Sequence, residues 1–258
     1  MTRHWWAIGL VTLLEARRNR LLWLALAVAA AGIMLAQFLA QVAITETQAI
    51  RLTVMAASYR LAAAFVVASF VVASVQREFA DKGVELTLSQ PVARASFVFG
   101  KLAGFALYAL GLAFVFSLTL VIGPGAEPAR AALWGASLAA ELTLVAAMAG
   151  FFAFSLSNNT GAMAAVLALY LLGRSIAAMQ VIATSPYAGE LGMLHAWVNR
   201  GADLIALLLP RLDLFTRAEW LTGPLPGAAE LGAVFGQAAL YTALLTGATL
   251  IDFYRREL

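Results

Sequence analysis

The sequence predicts an all-α, polytopic membrane protein with six transmembrane helices. Its composition, the length of its apolar stretches and the placement of its charges support this. Of the 258 residues, 62% are hydrophobic and 12% are charged, and the mean hydropathy is +0.86. Because a soluble domain carries about 25% charged residues, we expect a lipid bilayer rather than water to be the main environment. With no fixed-period repeat and no low-complexity linker, residues 1–258 are predicted to form one membrane domain.

The first 20 residues predict a helix that lies in the membrane interface. Apolar residues that include Trp5 and Trp6 alternate there with polar residues such as Arg3 and Arg17. Tryptophan prefers the depth of the lipid headgroups, and arginine reaches toward their phosphates. We therefore expect an amphipathic helix over residues 1–20, ahead of the first span.

Six later stretches are long and apolar enough to cross the membrane. A spanning helix needs about 20 residues, because each residue rises 1.5 Å and the hydrocarbon core is about 30 Å thick. The predicted spans are 21–44, 53–75, 97–122, 131–156, 161–184 and 231–251. An even number of spans places both chain termini on the same side.

The basic residues predict that both termini are cytoplasmic, because cytoplasmic loops retain Lys and Arg. Ten basic residues fall on the side of the termini and five on the other, three of these within a long loop that counts for little in this rule. The ten are Arg3, Arg17, Arg18, Arg20, Arg77, Lys82, Arg94, Lys101, Arg255 and Arg256. The predicted location is the inner membrane of a bacterium.

The long connection 185–230 predicts an external helical segment. Its stretch 191–209 places apolar residues on one face but also contains His195, Arg200 and Asp203. These polar groups argue against a span that faces lipid, so the stretch either rests on the outer interface or enters the bundle buried against protein. Prolines then precede the last span.

The connection between the second and third spans, residues 76–96, is far more polar than its surroundings. With the start of the next span it reads QREFADKGVELTLSQPVARASFVFGKLAG over residues 76–104. Charged residues at helical spacing alternate with apolar ones, which predicts a short amphipathic helix. Pro91 ends it, because the residue before a proline is pushed out of the helical region. Arg94 and Lys101 would mark the headgroup level.

This loop resembles the permease family of type-2 ABC exporters, whose loop has an acidic residue, a glycine, a Glu-Leu pair, leucines, a Pro-Val-x-Arg turn and a later Gly-Lys. The matching residues here are Glu78, Gly83, Glu85, Leu86, Leu88, Pro91, Val92, Arg94, Gly100 and Lys101. Val84 departs from the threonine common in the family. The layout, with LLLPRLDLF at 207–215, is also similar to permeases used in nitrous-oxide-reductase maturation.

The resemblance implies that the loop is a coupling helix seated in a groove of a separate cytosolic ATPase. ATP and magnesium would be bound by that partner and not by this chain. Two ATPase copies would need two permease halves, so a second permease subunit is expected, in a homodimer or a heterodimer. The implied ATPase-coupling residues are Arg77, Glu78, Asp81, Lys82, Gly83, Glu85, Leu86, Leu88, Pro91 and Arg94. The simpler alternative is a basic loop that only holds the topology.

The sequence offers no catalytic or metal site of its own. The chain has no cysteine, and neither of its two histidines has a carboxylate at the spacing of a metal motif. A GxxxxGK[ST] phosphate loop is also missing from the sequence. The basic residues form no single patch, so nucleic acid is not an expected partner. Two alternatives to transport remain: a membrane-embedded enzyme acting on lipid, and an assembly factor that transports nothing.

Several polar residues fall inside predicted spans, where they are costly. Arg60, Glu141 and Arg174 are either a functional site or a structural set in which Glu141 pairs with one of the arginines. Gln37 and Gln41 share a helix face, where they either line a path or bond between helices.

Two small-xxx-small pairs permit close helix packing. They are Gly100 with Gly104 and Gly232 with Gly236, and either pair could pack within the chain or form the seam of a dimer.

Overall fold

The computed structural model describes residues 3–18, 21–42, 46–84, 89, 93–183 and 209–255, and every regular element among them is helical. Two are short, a 3-10 turn at Leu212–Leu214 and α7 at Glu219–Thr222. The long helices are α1 Arg3–Arg18, α2 Leu21–Val42, α3 Thr47–Ala80, α4 Arg94–Ile122, α5 Pro128–Ser155, α6 Asn159–Ala183 and α8 Ala228–Arg255. The predicted all-α class is confirmed for these residues.

Five helices within the described ranges are long and apolar enough to cross a membrane. They are α2, α3, α4, α5 and α8, and they coincide with five of the six predicted spans. Helix α6, of 25 residues, covers the predicted span 161–184 but is not one of these five. The protein is therefore a multi-pass membrane protein, and the sixth span and the orientation stay predictions.

Helix α5 forms the centre of the bundle. It packs against α3, α4, α6 and α8, and most of its membrane-length stretch is buried. Helix α2 packs mainly against α3, and α8 packs against α5 and more weakly against α4, so both leave most of their surface exposed. These two outer helices present their apolar side chains to the surroundings, which suits a lipid environment.

The bundle has two ends that differ in charge. At one end α3, α5 and α8 finish and α4 and α6 begin, and Arg77, Lys82, Lys101 and Arg255 lie near it. We call it the basic end. Short connections between α3, α4, α5 and α6 make these helices alternate in direction, whereas α8 runs parallel to α5. The opposite end carries the turn at Gly123–Pro124 and residues 209–227.

Helix α3 is longer than the span predicted for it. Its 34 residues extend about 51 Å at 1.5 Å per residue, well beyond a hydrocarbon core of about 30 Å. Arg77 and Glu78 belong to its last turn rather than to a separate amphipathic helix, and the chain turns only at Asp81 and Lys82. Lys82 has a φ of 53°, the left-handed conformation that commonly ends a helix.

Helix α1 lies along α4 at the basic end. A Cβ atom added at Gly104 would come within 2.7 Å of the Thr12 Cβ and 2.8 Å of the Gly9 carbonyl oxygen, so only glycine fits this close contact. Trp6, Leu10 and Leu14 are exposed on the outer face of α1. The predicted N-terminal helix is present and amphipathic, and Gly104 packs within the chain. At the second predicted pair, Gly232 and Gly236, nothing described lies within 4 Å.

Candidate functional site

Glu141 lies in the middle of α5 and is fully buried, with 0% of its surface exposed. Its Oε1 accepts a hydrogen bond from the Tyr170 hydroxyl at 3.0 Å and pairs with Arg174 Nη1 at 3.3 Å. Its Oε2 accepts a hydrogen bond from Thr216 Oγ1 at 2.5 Å. Both carboxylate oxygens therefore have donors, as a buried charge requires. The structure pairs Glu141 with Arg174 rather than with Arg60.

Arg174 also binds the backbone of the chain that precedes α8. Its Nη1 donates to the carbonyl oxygens of Leu212 at 2.5 Å and Phe215 at 3.2 Å. One turn of α6 lies directly against this backbone, because a Cβ atom at Gly173 would be 2.8 Å from the Pro210 carbonyl oxygen. The glycine lets the two backbones approach, and the arginine then donates to the Phe215 carbonyl oxygen and adds a second donor to that of Leu212, which also accepts from the Phe215 N–H.

Thr216, in the chain that precedes α8, bonds to Glu141 and to three other residues. Its N–H donates to Ser137 Oγ at 3.0 Å, and its carbonyl oxygen accepts from Trp134 Nε1 and Arg60 Nη1, each at 3.3 Å. Its φ of 47° is strained for a β-branched residue, yet it is fully buried. Four hydrogen bonds, including the one to Glu141, hold it in this conformation. We call Arg60, Ser137, Glu141, Tyr170, Arg174 and Thr216 the polar core cluster.

Residues 209–223, here called the inserted segment, descend into the bundle from the opposite end. At the surface of the bundle, near the start of α5, Arg130 Nη1 donates to the carbonyl oxygens of Gly223 at 2.5 Å and Trp220 at 3.4 Å. At its tip the segment meets Glu141, eleven residues further along α5, which is about 16 Å deeper at 1.5 Å per residue. Part of the predicted external segment 185–230 is thus buried against protein, whereas its residues 185–208 lie outside the described ones.

The polar core cluster is arranged to hold the inserted segment. Its polar groups bond mainly to the backbone and side chain of that segment or to each other. No group of three His, Asp or Glu side chains suited to a metal ion occurs within the described ranges. Gln37 and Gln41, the other predicted intramembrane candidates, lie apart from this cluster and are exposed on α2. The geometry supports an anchoring role for Arg60, Glu141 and Arg174.

A second cluster of charges lies at the basic end. Lys101 is only 4% exposed, and its Nζ lies 2.8 Å from Glu78 Oε2 and 3.8 Å from Glu15 Oε2. Glu15 Oε2 also accepts a hydrogen bond from Ser74 Oγ at 2.8 Å, and its Oε1 lies 3.5 Å from Arg77 Nη1. These five residues, the basic-end cluster, join α1, α3 and α4. Lys101 is therefore buried between helices and does not reach toward headgroups.

Several predicted coupling residues remain on the surface beside this cluster. Asp81 and Lys82 are exposed, and 56% of the Arg77 side chain is exposed. Gly83 folds back on α3, because a Cβ atom there would lie 3.1 Å from Glu78 Cγ, and the adjacent Val84 is buried. Glu85, Leu86, Leu88 and Pro91 were predicted to act here as well, and they lie outside the described residues. Arg77, Asp81 and Lys82 thus present mixed charge to the surroundings.

Side chains cap helix ends at the basic end and link neighbouring helices. Gln76 Nε2 donates to the carbonyl oxygens of Ala153 at 2.9 Å and Leu156 at 2.7 Å, where α5 ends. These carbonyls have no partner within their own helix, so the bonds satisfy them.

Arg94, predicted to mark the headgroup level, bonds at the end of α8. Its Nη1 donates to the carbonyl oxygens of Phe253 and Tyr254, each at 3.4 Å. A cation is also favoured there by the helix dipole. Ser155 Oγ donates to Asp252 Oδ2, which ties α5 to α8. The ends of α4, α5 and α8 are therefore held together.

A groove of about 1030 Å³ opens on the side of the bundle, with α5 as its floor and α4 and α8 as its walls. Its lining contains no charged residue. It includes Phe99, Ala106, Ala139, Ala146, Thr242 and Gly247. The groove is separate from both charged clusters.

The sequence alone did not single out Glu15, Ser74 or Thr216. Glu15 had a weak signal, since it is an acidic residue on an otherwise basic amphipathic helix. Thr216 had none, because a threonine in a loop is unremarkable until its φ and its partners are known.

The chain matches no protein-family model, and a search of curated proteins finds no significant match.

Proposed function

We propose that this chain is the permease subunit of an ABC exporter of the type-2 kind. A separate cytosolic ATPase, present in two copies, would bind ATP and magnesium, and a second permease subunit would complete the transporter. The basic end would face the cytoplasm at the inner membrane of a bacterium, in keeping with the excess of Lys and Arg at that end.

The observation that carries the proposal is the exposed, mixed-charge surface at the end of α3. Arg77, Asp81 and Lys82 are exposed there, and α3 is about 20 Å longer than the hydrocarbon core is thick. The predicted span ends at residue 75, so the last five residues of α3 would extend about 8 Å beyond it, where a cytosolic protein can reach them. Charges of both signs on a docking surface set the register of the partner, and neighbouring apolar residues anchor it.

The attachment of this surface to the bundle also supports the proposal. Glu78, one turn before the exposed turn, pairs with Lys101 of α4, and Gln76 caps the end of α5. A partner that pushes on the surface would therefore act on several spans at once. A loop that served only to hold the topology would need its positive charges but not these contacts.

Co-purification of the tagged permease with the products of its neighbouring genes tests the proposal. The wild-type chain should bring down an ATPase subunit. Gly83→Trp should lower the recovered ATPase about tenfold, which corresponds to about 1.4 kcal/mol, because a Cβ atom there lies 3.1 Å from Glu78 Cγ and the bulky side chain would displace the segment. Asp81→Arg and Glu85→Arg should lower it by reversing charge at the docking surface.

Two matched variants serve as controls. Gly232→Trp places the same side chain where nothing described lies within 4 Å of the Cβ, and Glu219→Arg reverses a charge at the opposite end. Both should retain the ATPase. If no ATPase co-purifies with the wild type, or if the variants at positions 81, 83 and 85 bind it normally, the proposal is wrong.

Cysteine labelling in intact cells tests the orientation, since the chain has no native cysteine. A cysteine at position 85 should react with a membrane-impermeant reagent only after the cells are opened, whereas one at position 219 should react from outside. The reverse pattern would overturn the orientation.

A further inference from the structure

We propose that Lys101 is a positioning residue that makes the coupling segment, the N-terminal helix and α4 move together. The inference rests on the proposed function, because it concerns how a push by the ATPase would reach the spans. The coupling segment here means the described residues Asp81–Val84 and Ser89.

The first link runs from the coupling segment to Glu78. Beyond the end of α3 the chain folds back, so that Gly83 lies against Glu78 and Val84 is buried. Backbone that contacts the stem of Glu78 cannot shift toward α3 without displacing that side chain. The segment is thus in mechanical contact with the carboxylate that Lys101 binds.

The second link runs from Glu78 through Lys101 to α4 and α1. Lys101 projects from the second turn of α4, and its ammonium group lies between Glu78 of α3 and Glu15 of α1. Glu15 is held on its other side by Ser74 and Arg77. One buried cation therefore bridges three helices.

The third link is the contact between α1 and α4. At Gly104 the backbones of the two helices are too close to admit a Cβ atom, so they cannot slide past each other without separating. The salt bridge between Lys101 and Glu15 and the close backbone contact at Gly104 therefore join the same two helices, α4 and α1. A movement of α4 at this end would take α1 with it.

Charge is well suited to such a link. Separating Lys101 from its carboxylates would leave its buried ammonium group without these partners, which is far more costly than sliding two apolar surfaces past each other. The three elements therefore stay in register while other contacts at this end rearrange. An apolar pair at these positions would pack but would not resist sliding in the same way.

Distance measurements between spin labels test the inference. One doubly labelled protein carries cysteines in place of Leu14 on α1 and Leu171 on α6, and a second carries them in place of Ser89 and Leu171; all three positions are exposed. The permease is studied with its ATPase partner, in ADP and after trapping with ATP and vanadate. Dilution with unlabelled permease confines each measured distance to one chain. In the wild-type background, both distances should shift between the two states.

The decisive variant is Lys101→Met, which removes the link, leaves Glu15 with Arg77 and Ser74, and changes none of the residues implied in ATPase coupling. It should bind the ATPase normally and keep the shift at Ser89, while the shift at Leu14 falls to less than half. Arg255→Met, which removes an exposed charge at the same end, should leave both shifts intact.

The remaining outcomes contradict the inference. A normal Leu14 shift in Lys101→Met would show that Lys101 is not needed, and loss of ATPase binding would place Lys101 in docking instead. Loss of both shifts would show that the segment itself cannot move without Lys101. If the wild-type complex forms no ATPase contact or shows no shift, the proposed function fails, and the inference fails with it.

Discussion

The polar core cluster and the basic-end cluster both bury charge inside the bundle, but they bind different kinds of partner. In the polar core, Arg174 and Arg60 donate to backbone carbonyls of the inserted segment, and Glu141 accepts from Thr216 of the same segment. At the basic end, Lys101 pairs with side chains, and these belong to two other helices.

The difference indicates what each cluster can do. A cluster that satisfies backbone groups of an inserted loop is needed for that loop to be buried at all, because unsatisfied peptide groups are costly in a membrane. A cluster of side chains between helix ends is not required by the backbone, and the helices would form without it. We therefore expect the first to control folding and the second to control how elements move together.

The largest expected effect is that of Arg174→Leu. It leaves the buried Glu141 without its cation and removes the donor to the Leu212 carbonyl oxygen, which should cost about 3–5 kcal/mol. Folded yield and thermal unfolding in detergent measure it. Adding Glu141→Gln should recover part of the loss. Arg60→Leu should cost less, because Arg60 is only partly buried and its bond to the Thr216 carbonyl oxygen, at 3.3 Å, is longer than that of Arg174 to the Leu212 carbonyl oxygen. Normal yield and unfolding of Arg174→Leu would contradict the anchoring role.

Gly104→Leu tests the contact that underlies the basic-end cluster. The new side chain collides with Thr12 and the Gly9 carbonyl oxygen, so α1 must move away, at a cost of about 1–3 kcal/mol. A cysteine at position 12, buried in the native protein, should then react faster with a thiol reagent. Gly111→Leu on the same helix meets open space and should do neither. Equal reactivity in the two variants would show that α1 does not depend on this contact.

Substitutions of Thr216 distinguish how much its hydroxyl and its strained backbone each contribute to the stability of the protein. Thr216→Ala and Thr216→Gly both lose the hydrogen bond to Glu141, but only glycine adopts a φ of 47° without strain. The glycine variant should therefore be about 1 kcal/mol more stable than the alanine variant, as measured by thermal unfolding. Thr216→Ser should lie closer to the wild type because it keeps the hydroxyl. An alanine variant as stable as the glycine variant would mean that the backbone relaxes.

Lys82→Gly should give the smallest change, in the direction of stability. Lys82 also has a left-handed φ, of 53°, but it is exposed and no described hydrogen bond to its side chain offsets the strain. Glycine there should add about 0.5–1 kcal/mol to the free energy of unfolding. At the neighbouring Asp81, where φ is −85°, glycine should lower it by a similar amount. A loss of stability in Lys82→Gly would indicate that the lysine side chain contributes to the fold.

Length and polarity of a segment are local properties, so the sequence by itself determined the helices. The apolar stretches that begin near residues 21, 97, 131 and 231 all became helices, and α1 was recognisable from its alternation of apolar and polar residues. The charged end of α3 was also visible, although its last turn continues the span instead of forming a separate helix.

Only the tertiary structure decided which polar groups meet. Glu141 could have paired with either arginine, and Lys101 had the position of a residue near headgroups, yet Glu141 binds Arg174 and Lys101 is buried between two carboxylates. Thr216 lies 75 residues from Glu141 and 156 from Arg60 along the chain. Helical periodicity fixes the face on which a side chain lies but not the partner across from it. That partner depends on how the helices pack and on a loop that enters between them.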